Sequence, residues 1–305
     1  MRSHPSHEPA DRRVHVRAVA TALFVTLLWS SSWILIRVGL DDHDLAPLTF
    51  AGLRYSVAAI VLLAWVGSSP RLRNESRTII RTRWRPLVVL GVVYFAITQG
   101  AQFVAIDAQP AATSSLMLAP TALLVALMSS RSLAEQPRRL QFVGAALIIV
   151  GAVLYFSGDL GATVIGMTAS IIGLCANAAG SLLGRSINRD GSLAPVLVTA
   201  SSMSVGAALL LLAGLVVEGW PHLTVRLVLI IGWLAVVNTA LAFTLWNRSL
   251  RDLAAVESSA INNTMLIQIA ALAWVFLGES PGPIGVVGIL VVSTGAFLTT
   301  YRSSR

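Results

Sequence analysis

One pattern is written twice in this chain, and its two copies bracket long apolar segments. Leu133-Ala134-Glu135-Gln136-Pro137 recurs as Leu277-Gly278-Glu279-Ser280-Pro281, an offset of 144 residues. The same offset aligns Ser114-Ser115 with Ser258-Ser259, Gly144 with Gly288 and Gly151 with Gly295. Upstream the offset becomes 148, pairing Leu45-Ala46-Pro47 with Leu193-Ala194-Pro195, Ser56-Val57 with Ser204-Val205, and Arg37 with Arg185. Duplication of an apolar unit is a sequence mark of membrane carriers built around a central site.

Lipid is the solvent this composition suits. Hydrophobic residues fill 55% of the 305 positions and charged ones only 12%, far from the balance of a soluble domain. All 22 basic residues are Arg. They cluster in short loops with no basic helix or aromatic platform, so a nucleic-acid partner is not expected. The first 17 residues are polar and are expected to form a disordered cytoplasmic tail. The run from Ala18 to Ile36 has 19 uncharged residues, too long for a signal peptide and long enough for a membrane helix. Cys175 has no partner for a disulfide and reads as a small packing residue.

Charged and Pro/Gly-marked loops divide the chain into ten spans, near 18–40, 46–66, 86–106, 111–131, 138–156, 162–184, 193–216, 226–247, 253–276 and 283–301. Residues 18–156 and 162–301 are then two five-helix repeats. With the N-terminus inside, 19 Arg fall on the inner side and only Arg226 on the outer, while Arg37 and Arg54 lie within spans. The acidic stretch Asp41-Asp42-His43-Asp44 falls outside, so both termini are predicted cytoplasmic. An odd number of spans per repeat makes the second copy enter from the opposite face. The expected fold is therefore an all-α membrane protein of ten helices in two inverted repeats.

Trp29-Ser30-Ser31-Ser32-Trp33 in span one, Phe50-Ala51-Gly52-Leu53-Arg54 in span two, Ala119-Pro120 in span four, and the two Leu-x-Glu elements followed by Gly144 and Gly288 resemble EamA-like proteins of the drug/metabolite transporter superfamily. The resemblance covers roughly residues 18 to 301 and implies a secondary transporter of the cell membrane, often an exporter of amino acids, metabolites or drugs. It also implies a cavity formed by spans one, three, four, six, eight and nine. One departure is that Pro120 aligns with Thr264, so the second half lacks this proline.

Arg54 lies about 12 Å of helix rise into span two at about 1.5 Å per residue, which makes it a candidate site cation or a buried structural anchor. Arg37 stands four residues before Asp41 and is expected to form an ion pair at the outer rim. No Asp, Glu or His falls deep within a span, so proton coupling has Glu257 as its first candidate and Asp107 as its second, each reading first as a rim residue and only then as a proton carrier. Glu135 and Glu279 read as structural turn residues.

Uncharged polar residues say more. Tyr94, Thr98 and Gln102 recur every four residues on one face of span three. Ser258 with Asn262, and Thr264 with Gln268, do the same in span nine. Trp29, Ser32 and Trp33 form a patch on span one, Asn177 and Ser181 on span six, and Asn238 and Trp246 on span eight. Any one of these could simply bond between helices, a contact worth roughly 0.6 to 2 kcal/mol. Together they are the predicted binding site for a small-molecule substrate: Trp29, Trp33 and Arg54, then Tyr94, Gln102 and Asn177, then Asn238, Trp246, Asn262 and Gln268. Glycines at 144/151 and 288/295, and the Gly180/Gly184 pair, are expected to allow close helix packing. No HExxH or GxSxG occurs and all five His lie outside the predicted spans, so neither a metal, a cofactor nor an intramembrane enzyme is expected. A transport-inactive adaptor or lipid-handling relative is the alternative reading.

Overall fold

A segment crossing hydrocarbon must satisfy its own backbone hydrogen bonds. The computed structural model of the protein is accordingly helical, with no strand among its described residues, which are 8–41, 45–121, 124, 125, 128, 139–155, 157, 161–189, 193–253, 257, 258, 261, 262, 264–278 and 282–300. The helices are α1 Glu8–Leu40, α2 Pro47–Ser68, α3 Pro70–Thr82, α4 Trp84–Ala108 and α5 Ala111–Leu116. They continue as α6 Arg139–Tyr155, α7 Val164–Arg189, α8 Pro195–Val217, α9 Val225–Ser249, α10 Met265–Leu277 and α11 Pro283–Thr300. Among the described residues, 6 helices (α1, α2, α4, α7, α8 and α9) are long and apolar enough to cross a membrane, and α6, α10 and α11 hold shorter apolar helices.

Four expectations change. Residues 8–17 are helical rather than disordered, because Pro9 falls in the first helical turn, where its missing N–H costs nothing, and no further proline and no glycine follow before Gly39, one residue from the helix end. The stretch read as a plain loop between spans two and three contains α3. Cys175 is exposed on α7 and does not pack inward. Span four is interrupted: α5 stops at Leu116, and Ala119 N–H bonds to the Leu116 carbonyl three residues back. The second half breaks at the equivalent place without a proline, with Thr264 N–H on the Ile261 carbonyl at 3.0 Å and Thr264 Oγ1 donating to the same oxygen at 2.7 Å. A hydroxyl bonded back to the helix thus accompanies the break where the first half uses Pro120. Glu135, Glu279 and Asp42 to Asp44 lie outside the described residues.

Matching pairs of glycines set the helix contacts. A Cβ on Gly151 would lie 2.7 Å from the Gly288 carbonyl oxygen, and one on Gly295 would lie 2.5 Å from that of Gly144. Since Gly144 corresponds to Gly288 and Gly151 to Gly295, exchanging the halves maps one contact onto the other. The register falls along α11 as it rises along α6, so these two helices run antiparallel. α2 and α8 also pack antiparallel: Gly52 meets the Leu211 backbone and Gly214 meets that of Thr49. Carboxylates cap both ends of this pair. Glu218 accepts from the N–H groups of Leu48 (3.0 Å) and Thr49 (2.7 Å) at the start of α2, and Glu75 accepts from Ala194 N–H (2.7 Å) just before α8.

Both long helices α4 and α9 contain a π-helical stretch, Gly91–Ile97 and Val236–Leu241. Shifted by 144 residues, the first falls on 235–241, so the feature repeats with the fold. π-turns recur at functional sites because the extra residue re-aims the side chains that follow.

Candidate functional site

The π-turns explain how the cavity wall is composed. Thr98 Oγ1 donates to the Val93 carbonyl and Thr239 Oγ1 to that of Leu234, each five residues back and at 2.8 and 2.7 Å. Because i and i+5 now share a side, Gln99 joins Tyr94 and Gln102 around one space, and its amide donates to the Tyr94 carbonyl at 3.4 Å. That space is a cavity between the two halves with about 650 Å³ of atom-free volume including its open mouth.

Seven of the ten predicted binding residues line it: Trp29, Trp33, Arg54, Tyr94, Gln102, Asn177 and Asn262. Tyr55, Gln99, Ser115, Phe243 and Met265 also line it, although the sequence reading did not select them. Phe243 is the centre of an aromatic cluster, 4.8 Å from Trp29, 5.0 Å from Phe95 and 5.8 Å from Tyr94, ring to ring. Its place one turn before Trp246 was the available signal. The Tyr55 hydroxyl donates to Gln99 Oε1 at 2.5 Å, fixing both on the wall. Tyr94 is seated by a small residue, since a Cβ on Gly180 would strike its ring at 2.5 Å.

Arg54 is 2% exposed. Nε donates to Thr239 Oγ1 at 2.7 Å, and Nη2 to Ser32 Oγ at 3.4 Å and to the Asn238 carbonyl at 3.5 Å. The guanidinium carbon stands 5.2 Å from the Tyr55 ring centre and 5.8 Å from that of Phe103. Among the described residues no carboxylate pairs with it. Its charge is held by neutral acceptors and aromatic faces, so the cavity carries one fixed cation. The same contacts tie α2 to α1 and to the π-turn of α9.

Asn238, Trp246 and Gln268 stand behind the cavity surface. Asn238 Nδ2 donates to Ser31 Oγ (2.9 Å) and Ser32 Oγ (3.0 Å), joining the Arg54 network. Trp246 packs against Trp29 at 5.1 Å. Gln268 accepts from Ser30 Oγ at 2.8 Å and donates to Thr26 Oγ1 at 3.3 Å, which fastens α10 to α1. Among the described residues, Trp29 Nε1 is buried without a hydrogen-bond partner on this wall.

The cavity is unlike at its two ends. A narrower groove prolongs it past Trp33 and Gln102 to Ala105, Ser114 and Ser170, toward the end of the bundle where α4 stops and α7 begins. At the other end Trp246 covers Trp29, Asn188 Nδ2 donates to Asn247 Oδ1 at 3.1 Å, and Asn247 Nδ2 to Thr199 Oγ1 at 2.6 Å. The two titratable candidates lie outside the cavity. Glu257 is 3.9 Å from His15 Nε2, and Asp107 is exposed, with Arg37 Nη1 donating to the adjacent Ile106 carbonyl at 2.8 Å. Arg37 Nε also pairs with Asp41 at 3.2 Å. The described residues contain no cluster of His, Cys, Asp or Glu fit for a metal ion.

Comparison with known proteins matches the EamA-like transporter family twice, over residues 16–157 and 164–301. A probable amino-acid metabolite efflux pump of Salmonella typhimurium is 26% identical, aligned over 92% of this chain and 93% of its own. An S-adenosylmethionine/S-adenosylhomocysteine transporter of Chlamydia muridarum is 25% identical over 93% and 92%, and a probable terminal-alkyne amino-acid exporter of Streptantibioticus cattleyicolor 26% identical over 94% of each. A solved structure described only as "Crystal structure of protein" superposes with a TM-score of 0.73 at 18% identity, covering 93% of this chain and 96% of that one, a likeness of fold.

Proposed function

The chain belongs to the EamA-like transporter family, and from that premise we propose that it moves a small organic solute across the cell membrane by alternating access, with the cavity between its halves as the binding site. The observation that carries this reading is the cavity itself: one buried cation, several neutral donors and acceptors, a cluster of aromatic faces, a groove at one end and packed rings at the other. A zwitterionic, weakly anionic or largely apolar solute suits such a wall. A polyanion would call for more Arg or Lys. Amino acids and their derivatives fit, and relatives named as efflux pump and exporter support outward movement.

In this reading ten helices form two inverted repeats, as the antiparallel glycine contacts support, and both termini and α3 face the cytoplasm. Cysteines at His43 and Ser76 in a Cys175→Ala background then label oppositely with an impermeant thiol reagent from outside; labelling at Ser76 but not at His43 would reverse the orientation. Trp33, Gln102 and Asn262 contact the solute, while Asn238, Trp246 and Gln268 hold or close the wall. In reconstituted vesicles, alanine at Trp33, Gln102 or Asn262 lowers uptake of the transported solute about tenfold, roughly one good contact each. Parental rates for every tested solute in all three variants would place the site elsewhere.

A further inference from the structure

Helix α3 is the feature that transport leaves unexplained. Residues 70–85 hold 6 Arg against one acidic residue, Glu75, whose carboxylate already accepts from Ala194 N–H. Leu72 packs against the core, fixing which face of α3 is inward. Around this anchor Arg71, Arg73 and Arg85 are exposed. Two indoles flank the same end of the bundle: Trp65 near the end of α2, 51% exposed, and Trp84 at the start of α4, 50% exposed. The Arg85 guanidinium carbon stands 5.6 Å from the Trp84 ring centre. Exposed indoles settle at the depth of lipid headgroups, so they place the arginines beside phosphates.

We propose that Arg71, Arg73 and Arg85, with Trp84, form a binding surface for the headgroups of anionic phospholipids. Charge bias alone needs arginines only somewhere in the loop. Here Arg71 and Arg73 are carried on a helix anchored by Leu72 and by the Glu75 bond to the start of α8, with Arg85 in the first turn of α4 beside Trp84, so lipid bound across them also braces the contact between the halves. Each Arg near an anionic surface strengthens attachment about fivefold. Both neutral and anionic phospholipids offer a phosphate, and the net negative headgroup is what three guanidinium groups select.

The test is thermal stability of the purified full chain in detergent supplemented with phosphatidylcholine or phosphatidylglycerol, a readout independent of transport. Phosphatidylglycerol raises the Tm by about 3 °C over phosphatidylcholine. The Arg71→Gln/Arg73→Gln/Arg85→Gln variant loses that shift and keeps the parental Tm in phosphatidylcholine, and the corresponding triple Lys variant retains the shift. If the triple Gln variant does not fold, Arg71→Gln/Arg73→Gln serves, with the shift at least halved. An equal Tm in both lipids, a full shift in the Gln variants, or the same shift from inorganic phosphate alone would overturn the proposal.

Discussion

In the first half, the π-turn of α4 brings Tyr94 and Gln102 to the cavity surface; in the second, the matching turn of α9 commits Asn238 to serine hydroxyls on α1, and Trp246, eight residues on, to the ring of Trp29. The backbone device is shared and the side chains differ. Tyr94 corresponds to Asn238 and Gln102 to Trp246 by the 144-residue offset. One half therefore supplies side chains to the cavity surface, and its equivalent supplies side chains packed just behind it. A solute without twofold symmetry needs such an unequal pocket, and a carrier needs an end that can be shut.

Three changes sharpen or break that contrast. The largest effect is expected at Arg54, whose removal takes a charged donor from Thr239 Oγ1, Ser32 Oγ and the Asn238 carbonyl together and unties α2 from the π-turn of the second half. Arg54→Ala should destabilise the protein by about 3 kcal/mol and abolish transport, measured by thermal unfolding and vesicle uptake. A stable, active variant would show that the network does not hold the closed half. Next comes the small residue behind Tyr94. Gly180→Ala puts a Cβ 2.5 Å from the Tyr94 ring and should cost about 1 to 3 kcal/mol with altered solute preference, whereas Gly173→Ala, whose Cβ would sit 3.5 Å from that of Ala101, should be nearly silent. Equal effects would mean that Tyr94 has room to move. The smallest effect concerns protons. If transport is proton-coupled, the Glu257→Gln/Asp107→Asn variant should lose its pH dependence; an unchanged pH profile would point to exchange or facilitated diffusion.

The repeats, and the polar residues that gather at the cavity, were legible in the sequence because apolar runs and four-residue spacing are direct consequences of helices in lipid. Gln99 was not, since only the π-turn brings an i+5 neighbour onto the wall. Tyr55 was hidden beside Arg54, which drew attention as the charged residue. The break at Thr264 lacked the proline that marks its counterpart at Pro120. Helix α3 was overlooked because the six arginines of residues 70–85 read first as a topology signal, while Leu72 alone marks its inward side in the described packing. Asn238, buried, and Gln268, half-buried, stood out as polar residues within apolar spans, yet spacing alone could not tell a residue on the cavity surface from one bonded just behind it.

The central claim is that solute occupies the space beside Gln102, between the halves. Its most direct test is substrate protection of a single cysteine: Gln102→Cys in a Cys175→Ala background, reconstituted and reacted with a small thiol reagent with and without a solute shown to be transported. The account predicts slower labelling at Gln102→Cys as solute is added, with half-protection near the transport KM, and no change for the native Cys175 exposed on α7. Labelling of Gln102→Cys that is indifferent to saturating solute would contradict it.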